Sequence, residues 1–200
     1  MAKNILVLNG SPRGNGNVYK ALKRRVETVF KKLFHAQKSG EEVNIIWKDV
    51  SSLDFKFCCA CMKCRSSAKC VLPSDDAHKI AEEIQNCDMI FVGTPVYWGN
   101  MNGKLKALFD RLVGVMMGES KMGIPKPLLK GKKAEIVTSC TTPFPFNYLC
   151  GQSSGAIRAV KEILKSSGFK IVKTTNLAGT KNELSRKTSV FRDNFENAMF

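Results

Sequence analysis

Short apolar runs at residues 5–8, 43–47, 89–92, 134–138 and 169–174 have strand length, and between them the apolar positions recur every three or four residues. The periodic stretches predict helices over 18–34, 76–85, 103–116 and 155–166, with Gly168 placed to stop the last one. Strands that alternate with helices imply a parallel sheet, because parallel neighbours need long crossovers and the crossover helices cover both faces. Five strands arranged this way predict a doubly wound α/β fold with spatial order 2-1-3-4-5.

Neither an internal repeat nor a low-complexity linker divides the 200 residues, a length that one hydrophobic core can serve. A single domain over 1–200 is expected. Within it, residues 57–71 read as a cysteine-rich insertion. Residues 114–133, with Gly118, Gly123, Pro125, Pro127 and Gly131, read as a long loop of the kind that gates sites or joins subunits.

Charge changes this picture little. The 32 Lys and Arg against 17 Asp and Glu give a net charge of +15, but the basic residues are spread over helical stretches without interleaved aromatics. Solvated helix faces account for them better than a nucleic-acid site does, and such a surface still attracts phosphate-bearing cofactors and acidic redox partners. The opening MAKNILVLNG lacks the apolar segment and cleavage site of a secretion signal, and the sequence holds no uncharged apolar run of about 18 residues. The expectation is a soluble cytoplasmic protein with no membrane partner.

Ligands of doubly wound sheets bind where strands end, which directs attention to three loops. The first, Asn9-Gly-Ser-Pro-Arg-Gly-Asn-Gly-Asn17, feeds straight into a helix, so backbone amides, hydroxyls and Arg13 can meet an anion. It is neither a G-x-G-x-x-G fingerprint nor a Walker A loop, and a phosphate monoester suits it. The alternative is a plain turn with Asn17 as helix cap. The second, Gly93-Thr-Pro-Val-Tyr-Trp-Gly-Asn-Met101, offers Tyr97 and Trp98 as flat surfaces for an aromatic ring, or as caps on the core. The third, Ser139-Cys-Thr-Thr-Pro143, adds hydroxyls at the same end of the sheet. His35 and His78 fall on predicted helices, where surface or packing roles are expected.

Cys58, Cys61, Cys64 and Cys70 follow the spacing C-x2-C-x2-C-x5-C, with Cys59 inside the run and Cys87, Cys140 and Cys150 scattered elsewhere. Three closely spaced thiols with a fourth after a longer gap can hold the corners of a [4Fe-4S] cluster. Zinc, which favours two separated Cys pairs, and free thiols remain open alternatives.

Taken together, GSPRGNGN, the cysteine run followed by Asp75-Asp76, TPVYWGNM, and Leu105-Lys106 to Asp110-Arg111 resemble the flavodoxin-like NAD(P)H-dependent FMN reductases, near the iron-sulfur flavoprotein branch. The resemblance covers residues 4–112 by motif and the remainder by topology. It implies a flavodoxin-like fold with the FMN phosphate on Ser11, Arg13, Asn17 and Val18. The ring would lie against Pro95, Val96, Tyr97, Trp98, Gly99, Asn100 and Met101, with further contacts from Ser139, Thr141 and Thr142. At Val18 the family commonly has a hydroxyl residue, so only the backbone amide can serve there. The implied activity is hydride transfer from NAD(P)H to FMN and onward passage of electrons to a quinone, nitro or azo compound, flavin or protein acceptor. The alternative is an iron-sulfur flavoprotein carrying electrons between a ferredoxin-type donor and FMN. A homodimer or higher homo-oligomer is implied as well, with Asp110, Arg111 and the 114–133 loop as candidate contacts.

Overall fold

Strand β1 (Lys3–Asn9) reads as an unbroken apolar run because both of its faces are covered: Ile5 and Val7 join one core cluster, and Leu6 and Leu8 the other. The computed structural model describes residues 3–36, 42–120 and 122–181. Strands β2 (Val43–Asp49), β3 (Met89–Pro95), β6 (Lys133–Ser139) and β7 (Lys170–Leu177) join β1 in one parallel sheet ordered β2-β1-β3-β6-β7. Counting only these five in chain order, the arrangement is the expected 2-1-3-4-5.

Helix α1 (Asn17–Ala36) covers one face. Val18, Leu22 and Val26, spaced four apart, point inward, while Lys20, Lys23, Arg24, Lys31 and Lys32 lie on its exposed side. Much of the positive charge is therefore a solvated helix face. Arg25 is the exception, forming a two-pronged bond to the buried Glu135 of β6 at 2.9 Å for each prong. His35 falls within α1, and its side chain is outside the described residues.

The opposite face is packed by α3 (Asp76–Asn86), α4 (Gly103–Met116) and α6 (Gln152–Ser166), through Ile80, Ile84, Leu105, Leu108, Leu112, Val160 and Leu164. Gly168 ends α6 as anticipated. It adopts a φ of 97°, its amide bonds to the Lys165 carbonyl, and that of Phe169 reaches back to Leu164.

One expectation is corrected. The 114–133 region is no simple loop: Gly114 still belongs to α4, and β4 (Met117–Glu119) pairs antiparallel with β5 (Pro125–Pro127). Both prolines sit at the ends of a very short edge strand, the one sheet position that tolerates their missing N–H groups. The cysteine segment contains a single helical turn, α2 (Cys64–Ser67), and α5 (Phe146–Leu149) adds another after β6. Both are too short to leave a periodic signature. Among the described residues, no helix is long and apolar enough to cross a membrane.

Candidate functional site

All three loops singled out in the sequence leave the sheet at the same end, because β1, β3 and β6 are parallel neighbours. The first is built on Asn9, which is fully buried. Its Nδ2 donates to Asp49 Oδ1 at 2.8 Å, and its Oδ1 accepts from the Ser11 amide at 3.2 Å. Trp47 Nε1 holds the same Asp49 oxygen at 3.0 Å, so an interlocked Asn9–Asp49–Trp47 group sets the direction in which the chain leaves β1. Ser11 is buried too. Its hydroxyl accepts from the Arg13 amide at 3.2 Å and lies 3.3 Å from the Arg13 carbonyl, so it shapes the turn itself.

Helix α1 begins at Asn17, and its first backbone bond runs from Lys20 N to Gly16 O, so Gly16 rather than Asn17 stands at the cap. The first turn has no acidic residue, and among the described hydrogen bonds none uses the amides of Val18 and Tyr19. Those amides, the positive end of the helix and the exposed Arg13 are the groups of this loop that can meet an anion. Val18 turns its side chain into the core over Gly93, where a Cβ would collide with Val18 and Leu22. Only its N–H faces the loop, as its apolar nature requires.

The second loop folds back on itself, the Tyr97 and Asn100 backbones exchanging hydrogen bonds at 2.9 Å. Trp98 at its tip has a φ of 50° and is 100% exposed, and Gly99 follows at 70°. A bulky residue held in left-handed backbone with its ring wholly in solvent is a strained, unsatisfied arrangement, of a kind that accumulates at binding sites. Thr94 and Asn102 fix the loop's far end: Asn102 N donates to Thr94 Oγ1 at 2.9 Å, while Asn102 Oδ1 caps the first turn of α4. Met101 is buried in the core, so it offers this loop its main chain alone.

The third loop joins the second through Val96 N, which donates to Ser139 O at 2.8 Å. Thr141 is exposed, and Ser139 and Thr142 are half-buried. Beyond them in the chain, Phe144, Phe146 and Leu149 are exposed apolar residues.

The cysteine segment lies elsewhere, against the far part of α4. Gly114 touches it so closely that a Cβ would come 2.8 Å from Cys64 Cβ. At about 1.5 Å per residue, this contact is about 16 Å along α4 from Gly103, where the second loop ends. Three non-glycine residues here have left-handed φ: Ala60 at 53°, Met62 at 60° and Ala68 at 55°. They fall between successive cysteines and turn the chain around them. Burial raises the Cys64 thiol above its ordinary pKa, and so does the closeness of Cys70, Cys58 and Cys61. Cys61 is lowered, chiefly by a hydrogen bond from the Lys63 backbone. Cys64 thus feels the other three spaced thiols, and all eight cysteines are free. Among the described residues, no group of three or more His, Cys, Asp or Glu closes on a single metal-ion position. What speaks for a cluster is the donor set, four spaced thiols on a chain bent between them.

A family model described as flavodoxin-like fold matches residues 3–198. The chain belongs to this flavodoxin-like family. An iron-sulfur flavoprotein of Archaeoglobus fulgidus is 34% identical over 119 residues, covering 59% of this chain and 53% of that protein. One from Methanosarcina thermophila is 36% identical over 109 residues, covering 54% and 52%. The chain spans about half the length of these curated relatives. An FMN-dependent NADH-azoreductase from Bacillus anthracis, solved in complex with FMN, superposes with a TM-score of 0.69 at 14% identity, covering 98% of this chain and 97% of that one. At that identity the likeness is one of fold.

Within this flavodoxin-like frame, the structure brings the first loop, the 95–101 loop and the 139–142 loop together, and it packs Cys64 against Gly114, away from them along α4. Sequence reasoning missed Asn9, Thr94 and Asn102, whose work is inside the loops. It also misplaced Arg111. Expected at a subunit contact, Arg111 is buried within its own chain, its side chain 0% exposed. An arginine among the apolar positions of α4 was the one available signal. Two cavities lie outside the three loops. One of about 470 Å³ opens beside Cys70, His78 and Arg111, and one of about 560 Å³ runs along α6 and β7.

Proposed function

We propose that this chain is an FMN-dependent oxidoreductase that takes hydride from NAD(P)H. The observation that carries this reading is the meeting of an anion-accepting turn with a solvent-facing aromatic loop at one end of the sheet. The phosphate of FMN would lie on the amides of Asn17 and Val18 with Arg13 beside it, and Ser11 would hold the turn that presents them. The ring would lie against Pro95, Val96, Tyr97, Trp98, Gly99 and the main chain of Asn100 and Met101, with Ser139, Thr141 and Thr142 bordering it. Bound there, FMN supplies the hydride-accepting ring, and the chain's own part is to orient it and leave one face open to a nicotinamide. The FMN-dependent azoreductase with the same fold and the iron-sulfur flavoprotein relatives support a flavin.

A second reading concerns where the electrons go. The four spaced thiols and the iron-sulfur flavoprotein relatives favour a [4Fe-4S] cluster on Cys58, Cys61, Cys64 and Cys70. Hydride transfer needs reacting atoms about 3–3.5 Å apart, whereas an iron-sulfur cluster passes electrons one at a time. Any exchange between the two sites would therefore be of single electrons, with a ferredoxin-type protein as partner. Without a cluster, the acceptors would be quinones, nitro or azo compounds or free flavin. A homodimer, with exposed Met122, Ile124 and Leu128 of the β4–β5 hairpin as its contact, completes the proposal.

Protein purified without oxygen tests these readings. A flavin absorbance bleached within seconds by NADH or NADPH is expected. A colourless protein that takes up no FMN would overturn the flavin assignment, and reduction only by a ferredoxin-type donor would favour the carrier over the hydride-accepting enzyme.

A further inference from the structure

One side chain grips both ends of the cysteine segment. Arg111 Nη1 donates to the carbonyl of Lys56, where the segment starts, and at 2.7 Å to Oδ2 of Asp75, where it ends. Its Nη2 donates to Asp75 Oδ1 at 3.1 Å. The remaining donor, Nε, points at Cys70 Sγ from 3.3 Å. Asp75 closes the loop by accepting from the Lys56 amide at 3.1 Å, and His78 braces the same cysteine, its Nε2 lying 3.2 Å from the Cys70 carbonyl oxygen.

The carboxylate engages the two Nη nitrogens; the ion pair has no need of Nε–H. Among the described residues, Cys70 is the one of the four spaced cysteines whose sulfur is seen to accept from a cationic side chain. It is also the one separated from the others by a longer gap, so its position depends least on local chain geometry.

We propose that Arg111 is a positioning residue for Cys70, placing that sulfur as the fourth corner of a cluster and drawing charge from it through the Nε–H bond. This rests on the iron-sulfur reading above. A donor on a ligating thiolate favours the more negative, reduced cluster, so Arg111 raises the reduction potential. Lysine keeps the charge but lacks the planar fork that reaches Asp75 and sulfur together.

The full chain, reconstituted with iron and sulfide without oxygen, is compared as wild type, Arg111→Lys, and the charge-free pair Arg111→Gln with Asp75→Asn. Relative to wild type, the pair variant is expected to show a more negative midpoint potential and roughly tenfold faster loss of iron to a chelator, with FMN content unchanged. Arg111→Lys is expected to fall between. Unchanged potential and iron release in both would overturn the proposal. Should circular dichroism show the pair variant unfolded, Arg111→Lys decides by the same readouts. If wild type takes up no iron and sulfide, the cluster reading fails by itself. The clamp is then read from iodoacetamide modification of Cys70, located by mass spectrometry in metal-free protein: faster modification in the variants supports it, and equal rates overturn it.

Discussion

Gly155, in the first turn of α6, lies so close beneath Gly99 that a Cβ at residue 155 would overlap the Gly99 carbonyl oxygen. Helix α6 thereby supports the exposed Trp98 tip from below. Gly155→Ala should push the 95–101 loop outward and weaken flavin binding by about tenfold, or ~1.4 kcal/mol. Because the ring site is what moves, riboflavin and FMN should lose affinity equally in a fluorescence titration.

Arg13→Ala should behave differently. Removing a charge-assisted contact to phosphate should weaken FMN by roughly 2 kcal/mol while leaving riboflavin, which has no phosphate, unaffected. Cys64→Ser, placed in the separate cysteine segment, should leave the affinity for both unchanged. Equal FMN loss in Arg13→Ala and Cys64→Ser would contradict the separation of the two sites.

Asn9→Leu keeps the branched shape but leaves the Ser11 amide without its acceptor and removes one of the two donors on Asp49 Oδ1, which Trp47 still holds. A destabilisation of about 1–3 kcal/mol is expected for an unsatisfied buried group, seen as a lower urea midpoint. FMN affinity should fall as well, since the turn loses its anchor.

Asp75 links the clamp to pH. Burial pushes its carboxyl up, but the Arg111 fork, the Lys56 amide and His78 outweigh burial and hold it at about 2, below the ordinary 3.8. A lowered folded pKa means stability that is present above the unfolded value and is lost as pH falls from about 4 towards 2. The contribution is on the order of 1–2 kcal/mol. Urea unfolding across that window should show a shallower pH dependence for Asp75→Asn than for wild type.

Ala68 ends α2 in left-handed backbone, with φ 55° and ψ 12°, a conformation glycine enters freely. Ala68→Gly should stabilise the metal-free protein by about 1 kcal/mol, measured by chemical denaturation. A loss of stability would show that the turn is not strained as described.

The strands and the loops they feed were legible because both depend on order along the chain. Apolar runs such as Ile5, Leu6, Val7 and Leu8 announce a strand covered on two faces, and a glycine-rich segment between strand and helix announces a turn at the sheet's edge. The roles of Ser11 and Met101 were not legible. Both lie in the right loops, yet one spends its hydroxyl on the turn and the other its side chain on the core. Asn17 looked like a helix cap, but Gly16 took that position and left the first amides of α1 to an anion.

By itself the sequence determined the five-strand alternation, the three loops and the spacing of Cys58, Cys61, Cys64 and Cys70, since periodicity and spacing are local properties of the chain. Only the tertiary structure decided that Arg111 would leave the surface to hold Asp75 and Cys70, 36 and 41 residues away. A buried guanidinium is tolerable only when partners from distant segments arrive to satisfy its donors, and no pattern in the sequence states which segments will meet.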